Sequence, residues 1–322
     1  MKAAVYYETG APDVFRYEEV PDPPCHPRGV VIDVQAIGIE GGDVLNRGGG
    51  PLAGTPHIVG YNCAGVIREI GAEVTDRSVG QRVTALMANG SHASVVAVPA
   101  TSTFLVPDGV AIEHAACVPV AWGTAADCLF EFGRLKAGET VLVQAGTSGV
   151  GLACVQLAHR AGATVIATSS SDDKLDRLRP YGMDTGVNYR SGDFVDAVRK
   201  ATNGQGVDLV VDSVGGKTLE GSINCIGYRG RVITVGNVSR EGKSIDISGL
   251  SGTNGSVTGV FFGLETFRGA ARVVPMMDGL LRDIASGELK VVVDRTYPLS
   301  EAAAAHAYIE SRAAFGRVVL VV

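Results

Sequence analysis

QAGTSGVGLACVQLA, residues 144–158, follows the strand-like run VLV and opens a helix-length apolar segment, with Gly146, Gly149 and Gly151 in the turn between them. Glycines in that context let the backbone come close to a pyrophosphate, which then sits at the positive end of the helix. Ser148 occupies the middle position, where the common G-x-G-x-x-G pattern has glycine. A tight strand-to-helix turn with no ligand would read the same way, so the surrounding text has to decide.

It does so by alternation. TVIATS (164–169) reads as a strand and DDKLDRLRPYG as a helix. DFVDAVRKATNG reads as a helix, VDLVVDSVG as a strand, KTLEGSINCIGYRG as a helix and RVITVG as a strand. The strands are short, continuous and rich in Val and Ile, as in a sheet covered on both faces. The reading is an α/β fold with a doubly wound parallel sheet. Residues 1 to about 110 differ. KAAVYYE, GVVIDVQAIG, AGVIREIG, QRVTALM and ASVVAVP are strand-length runs broken by Gly and Pro, which predicts a compact β-rich unit. IEHAACVPVAWGTAADCLFEFG is long enough for one or two helices, and residues 263–322 read as mixed helix closed by the strand RVVLVV. GIEGGDVLNRGGG (38–50) reads as a glycine-rich loop.

The end of the second strand of the parallel sheet bears on the cofactor. NAD enzymes place Asp or Glu there for the ribose hydroxyls. Here the text is ATSSSDDKLDR, with Ser169 at that place. Ser169, Ser170 and Lys174 can donate to a 2′-phosphate, and Asp172 and Asp173 come later, where they favour a helix N-terminus. The expected cofactor is NADPH.

Composition narrows the class. The chain has 322 residues, 46% of them hydrophobic, with 43 glycines and a formal charge of −6. That balance disfavours nucleic acid and anionic membranes as partners. No uninterrupted apolar stretch suits a signal peptide or a spanning helix. The 6 cysteines are scattered without a CxxC pair, which reads as reduced, buried thiols of a cytoplasmic protein.

Across its whole length the sequence resembles the medium-chain dehydrogenase/reductase superfamily, in its zinc-independent quinone oxidoreductase branch. The motifs are MKAAVYYETGAPDVF, GVVIDVQAIGI, GYNCAGVIREIG, AGTSGVGLACVQLA, VDLVVDSVGG, RVITVG and YPLSEAAAAHAYIESRAAFGRVVLVV. The resemblance implies a GroES-like β-rich catalytic domain over 1–121 and 263–322, interrupted by a Rossmann domain over 122–262, with the active site in the cleft between them. It implies cofactor contacts from Thr124, from Gly146, Thr147, Ser148, Gly149, Val150 and Gly151, and from Ser169, Ser170 and Lys174. It adds Tyr189 in VNY, Gly236, Phe261, Phe262 and Gly263, and Arg317 in FGRVVL. Tyr189 and Phe261 can equally be core aromatics.

Zinc-dependent relatives hold their metal with Cys, His and Cys. Alignment of GIEGGD and GYNCAG with the corresponding runs puts Glu40 and Tyr61 on the first two ligand positions, and Val120 falls near the third. These residue types do not make a tetrahedral zinc site, so a metal-free enzyme is expected. His57, Cys63 and Cys117 lie nearby in sequence as the material for a non-standard site. Hydride addition to an enone or quinone suits a metal-free site, because charge spreads onto a distant oxygen. Glu40 and Tyr61 are the candidate proton donors. Glu40 could instead be a structural carboxylate, and Tyr61 a pocket wall. The alternatives for function are an enoyl-thioester reductase and an NADPH-binding sensor or structural protein. The resemblance also implies a homodimer, paired through edge strands near 240–262.

Overall fold

The computed structural model describes residues 1–239, 241 and 244–322. The chain divides into two compact units, Met1–Gly123 with Gly263–Val322, and Thr124–Phe262.

The first unit opens with strands β1 (Lys2–Tyr6), β2 (Arg16–Glu19) and β3 (Gly29–Gly38), followed by helix α1 (Gly41–Gly49). Strands β4 (His57–Ile58), β5 (Asn62–Ile70), β6 (Arg82–Leu86), β7 (Val95–Pro99) and β8 (Thr103–Leu105) come next, then helices α2 (Ile112–Ala115) and α3 (Pro119–Ala126). In β3 the apolar run VVI and the later AI are buried, and the strand sits inside the sheet, paired with β5 on one edge and β7 on the other. Val30, Ile32, Val34, Ile37, Ile67, Val83, Val96 and Val98 form its core.

The second unit alternates strand and helix. It runs β9 (Thr140–Val143), α4 (Gly149–Arg160), β10 (Thr164–Ser169), α5 (Asp172–Leu178), β11 (Thr185–Asn188) and α6 (Phe194–Ala201). It continues with β12 (Val207–Asp212), α7 (Gly216–Cys225), β13 (Ile226–Thr234), α8 (Gly249–Thr253) and β14 (Ser256–Gly259). The strands form one six-stranded sheet in the order β11-β10-β9-β12-β13-β14, parallel throughout. That is the doubly wound order, with the reversal between β9 and β12. Helix α4 is buried along almost its whole length, from Gly151 to Ala158, which explains why LACVQLA carries no charge.

The chain then returns to the first unit with α9 (Phe262–Arg268), α10 (Ala270–Ser286), β15 (Val293–Pro298), α11 (Ala302–Glu310) and β16 (Arg317–Val321). Strand β16 pairs antiparallel with β3 and parallel with β15, completing a seven-stranded sheet. The predicted α/β architecture, an antiparallel β-rich part and a parallel doubly wound part, is the one formed.

Three local readings are corrected. GIEGGDVLNRGGG is mostly the helix α1, not a loop: Asp43 Oδ2 accepts the Glu40 amide at 2.8 Å at its start. Arg47, fully buried, ties the helix to Glu310 of α11 and to the Gly10 carbonyl at 2.8 Å. IGYRG belongs to β13 rather than to the preceding helix, with Arg229 at φ 58° in an irregular stretch of the strand. Strand β15 went unpredicted because its VDRTYP text is polar, as suits a sheet edge. Of the edge expected over 240–262, Ser256–Gly259 is the edge strand β14 and Ser244–Ser248 is irregular. Arg240, Gly242 and Lys243 lie outside the described residues. Among the described residues no helix is long and apolar enough to cross a membrane.

A buried histidine pair links α11 to the β-rich part of the first unit. His92 Nε2 and His306 Nε2 are 3.1 Å apart, and Phe15 packs its ring against both. Burial pushes His92 down to about 3 and holds His306 well below the usual histidine value, His306 being lowered further by His92 and Arg47. Such groups stay neutral in the fold while the unfolded chain takes up protons below pH ~6.5, so stability falls as pH drops through that window. Asp43, held well above the ordinary range by burial, acts in the opposite sense. The pH slope of the wild type is therefore a compromise, and the difference made by one substitution is the clean quantity. In urea unfolding between pH 6 and 5, His306→Gln is expected to reduce the stability lost on acidification by about 1.4 kcal/mol per pH unit. An unchanged slope would contradict a neutral buried His306.

Candidate functional site

Apart from Thr124 in α3, the residues expected to hold a dinucleotide in the second unit lie at or just beyond the carboxyl ends of its strands. The turn after β9 carries Gly146 and Thr147, and Ser148 caps α4 by accepting the Gly151 amide on its hydroxyl at 3.1 Å. The serine in the middle of the glycine pattern is thus a helix cap, and Gly149, Val150 and Gly151 form the first helical turn. A Cβ on Gly151 would lie 2.3 Å from the Ala145 carbonyl oxygen, and one on Gly146 would lie 2.8 Å from Ala167 Cβ. Both positions need glycine because the turn is folded tightly onto α4 and β10.

Ser169 ends β10, is buried, and lies with its Oγ 3.5 Å from Thr147 Oγ1. The Tyr189 amide donates to the Ser169 carbonyl at 3.1 Å, so the turn, the end of β10 and the end of β11 meet in one place. Ser170 follows directly, and Lys174 sits in the first turn of α5, whose N-cap is Ser171. Asp172 and Asp173 are also in that turn, one step beyond the strand end. Gly236 follows β13 with φ 84°. Thr124 lies buried in α3, Phe261 is 75% exposed, and Phe262, buried, begins α9 with Gly263 behind it.

In the first unit, Glu40 and Arg317 form a buried ion pair between the start of α1 and the start of β16. Arg317 Nη1 donates to Glu40 Oε2 at 2.8 Å, and Nη2 donates to Oε1. Arg317, implied by the family resemblance as a cofactor contact, thus commits two donors to Glu40. Of the two readings of Glu40, proton donor or structural carboxylate, the structure shows a carboxylate paired with a guanidinium. Burial pushes the Glu40 carboxyl up, and the Arg317 charge and its hydrogen bonds oppose that. At Arg317, desolvation is outweighed by the Glu40 charge, which raises it above its ordinary value. Cys117 lies beside the pair, and burial pushes its thiol up to about 11. Gly316, at φ 95° and with Val292 O 2.4 Å from where a Cβ would be, lets the chain turn Arg317 inward.

The Tyr61 ring packs closely against the first turn of α1. A Cβ on Gly42 would be 2.5 Å from Tyr61 Cε2, and Asn46 Nδ2 donates to Tyr61 Oη at 2.8 Å. Because Asn46 supplies the donor, the phenol keeps its own proton to give elsewhere. Burial, helped by the Asp43 charge, pushes Tyr61 up to about 12, so it stays a phenol through the neutral range. Asn62 Nδ2 donates to the Gly38 carbonyl at 2.6 Å, fixing β5 to the end of β3. Sequence reading missed Asn46, and no local pattern marks it, since its partner Tyr61 lies 15 positions away, outside α1. Among the described residues no three of His, Cys, Asp and Glu gather as a metal would need.

The ion pair generates a stability prediction. Removing one partner of a buried pair leaves an uncompensated charge, whereas apolar replacement of both is often near neutral. Glu40→Met alone is expected to cost about 3–5 kcal/mol in urea unfolding. The double variant Glu40→Met/Arg317→Met should recover most of that loss. A double variant as unstable as the sum of the singles would contradict the pairing.

The comparisons with known proteins agree with this layout. The alcohol dehydrogenase GroES-like domain family matches residues 26–108, and the zinc-binding dehydrogenase family matches residues 149–275. The chain is 34% identical over 326 residues to a 2-haloacrylate reductase of Burkholderia sp, covering 99% of this chain and 98% of that protein. It is 31% identical to a phthioceranic/hydroxyphthioceranic acid synthase of Mycobacterium tuberculosis, of which it spans 14%. The crystal structure of Escherichia coli quinone oxidoreductase complexed with NADPH superposes with a TM-score of 0.94 at 29% identity, over all of both chains. With the whole chain aligned to such relatives and both sheets in place, the protein belongs to the medium-chain dehydrogenase/reductase superfamily, in its quinone oxidoreductase-like branch.

Proposed function

We propose that this chain is an NADPH-dependent oxidoreductase that reduces quinones or α,β-unsaturated carbonyl compounds by hydride transfer, without a metal. The observation that carries the cofactor reading is Ser169 at the end of β10, facing Thr147 Oγ1 at 3.5 Å, with the first carboxylates one turn further on. A hydroxyl there accepts company from a phosphate, where a carboxylate would repel it. The glycine-lined turn and the N-terminus of α4 fit a pyrophosphate, since the helix end offers amides and a positive dipole. The Escherichia coli relative complexed with NADPH supports the same cofactor. When bound, NADPH supplies the hydride from its nicotinamide ring.

The residues aligned with zinc ligands do not suit a zinc ion. Both Glu40 oxygens are held by Arg317, Tyr61 is a protonated phenol, and Val120 offers only hydrocarbon. Zinc independence rests on that donor set. Without a Lewis acid, conjugated acceptors are the favoured substrates, and a 2-haloacrylate reductase among the relatives is in keeping with a conjugated C=C.

In this reading Tyr61 donates a hydrogen bond or proton as charge develops on the substrate oxygen, with Asn46 holding its orientation. Glu40 serves as a positioning residue, fixing α1 beneath Tyr61 through Arg317. A second reading, reduction of an enoyl thioester, is favoured by the match to the mycobacterial synthase. A homodimer and a cytoplasmic location remain part of the proposal, with β14 as the edge available for pairing.

Turnover of NADPH against a panel of quinones, enones and enoyl thioesters tests the assignment. Quinones or enones should be turned over best. Tight NADPH binding with no turnover of any of them would instead favour a sensor. NADPH should be preferred to NADH by about tenfold or more, the worth of one charge-assisted hydrogen bond. Ser169→Asp should reverse that order, and equal use of the two cofactors by the wild type would contradict the phosphate site. Tyr61→Phe should lower kcat by about 100-fold with NADPH affinity unchanged. Near-full kcat in that variant would remove Tyr61 as the donor.

A further inference from the structure

Beneath the cofactor turn, four buried polar side chains join the ends of β10, β9 and β12 and the middle of α7. The Ala145 amide donates to Thr168 Oγ1 at 3.1 Å, and the Thr168 hydroxyl donates to Gln144 Oε1 at 2.7 Å. Gln144 Nε2 donates to Ser222 Oγ at 3.1 Å, and the Ser222 hydroxyl donates to Asp212 Oδ2 at 2.7 Å. Asp212 Oδ1 accepts the amides of Val214 and Gly215 at 2.8 and 2.9 Å. Thr168, Gln144, Ser222 and Asp212 are all buried.

The direction of every bond follows from the last acceptor. A carboxylate only accepts, so Ser222 must give its proton to Asp212 and use a lone pair for Gln144. That fixes the Gln144 amide with its oxygen toward Thr168. Thr168 then donates to Gln144 and has its lone pair left for Ala145. The beneficiary is a costly piece of backbone: Ala145, a non-glycine residue, stands at φ 51°. Thr168 also accepts the Gly146 amide on its carbonyl at 2.9 Å, so one residue grips the turn twice. At the other end, Gly215 is at φ 78°, and the Ser239 amide ties the Val214 carbonyl at 2.9 Å to the segment after β13. The chain therefore spans the point where the strand order reverses, the place where doubly wound sheets bind nucleotides.

We propose that Asp212, Ser222, Gln144 and Thr168 are positioning residues for cofactor binding, a one-way hydrogen-bond chain that holds the phosphate turn and the loop after β12 in fixed relation. This rests on the nicotinamide-nucleotide reading above. A buried polar chain is a poor means of gaining stability, because apolar replacements of matched shape are often near neutral. What it supplies is one defined geometry. The residues touch the turn from below, so their effect on a ligand passes through the Ala145 conformation.

The test uses the full chain, with NADPH affinity, kcat at saturating NADPH, melting temperature and amide exchange at Ala145 as readouts. Thr168→Val removes the acceptor for Ala145, and Thr168→Ser keeps it. Thr168→Val is expected to weaken NADPH binding about three- to tenfold and to speed exchange at Ala145, with kcat at saturation near that of the wild type. Thr168→Ser should restore both. Asp212→Asn, nearly isosteric, would hand a donor to Ser222 and reverse the chain, leaving the Thr168 proton without its Gln144 acceptor, and is expected to weaken binding by less than Thr168→Val in a protein that still folds. Unchanged NADPH affinity in Thr168→Val and Asp212→Asn, with only a lower melting temperature, would overturn the proposal and leave the network structural. Failure of the wild type to bind NADPH would be a different result, overturning the cofactor reading first.

Discussion

The constraint on which the second unit depends is the contact between the first turn of α4 and the end of β9. Gly151 sits where any side chain would strike the Ala145 carbonyl, 2.3 Å from the position of a Cβ. That closeness lets an apolar helix drop onto β9 and β10, and it leaves a half-buried helix N-terminus at the carboxyl edge of the sheet. In the proposed reading, packing and cofactor binding draw on the same glycine. The buried sequence LACVQLA follows from that packing, and Ser148 caps the helix at the same turn.

The first unit is organised around charge rather than glycine. Arg47 and Arg317 are both buried, one joining α1 to α11 and the other joining α1 to β16. Two guanidiniums thereby set the position of a short, glycine-rich helix that has little core of its own. The cost of burying such pairs is high, and their return is a fixed geometry for the surface that α1 presents, where Tyr61 and Asn46 meet. The Glu40 carboxylate is engaged on both oxygens by Arg317.

Much of the fold could be read from residue order because its determinants are local. Strand–helix alternation, the VLV-to-glycine turn and the Ser169 position each lie within a short window, and all mark the parallel sheet. The failures have a common physical origin. α1 was hidden because its glycines suggest a loop, while its stability comes from Arg47 reaching across to α11. Glu40 was legible as a candidate but its partner was not, since Arg317 is 277 positions away. Likewise Gln144 and Ser222 are 78 positions apart, and only the sheet brings them together. Side-chain pairing across elements leaves no periodic trace in sequence, so the backbone was readable where the polar networks were not.

A crystal structure with NADPH bound tests the central claim most directly. The account predicts the pyrophosphate against the amides of the first turn of α4, and the 2′-phosphate within hydrogen-bond distance of the Ser169 hydroxyl. Glu40 should remain paired with Arg317 in that complex. A 2′-phosphate bound away from β10, or Arg317 released from Glu40 to hold the cofactor, would contradict it.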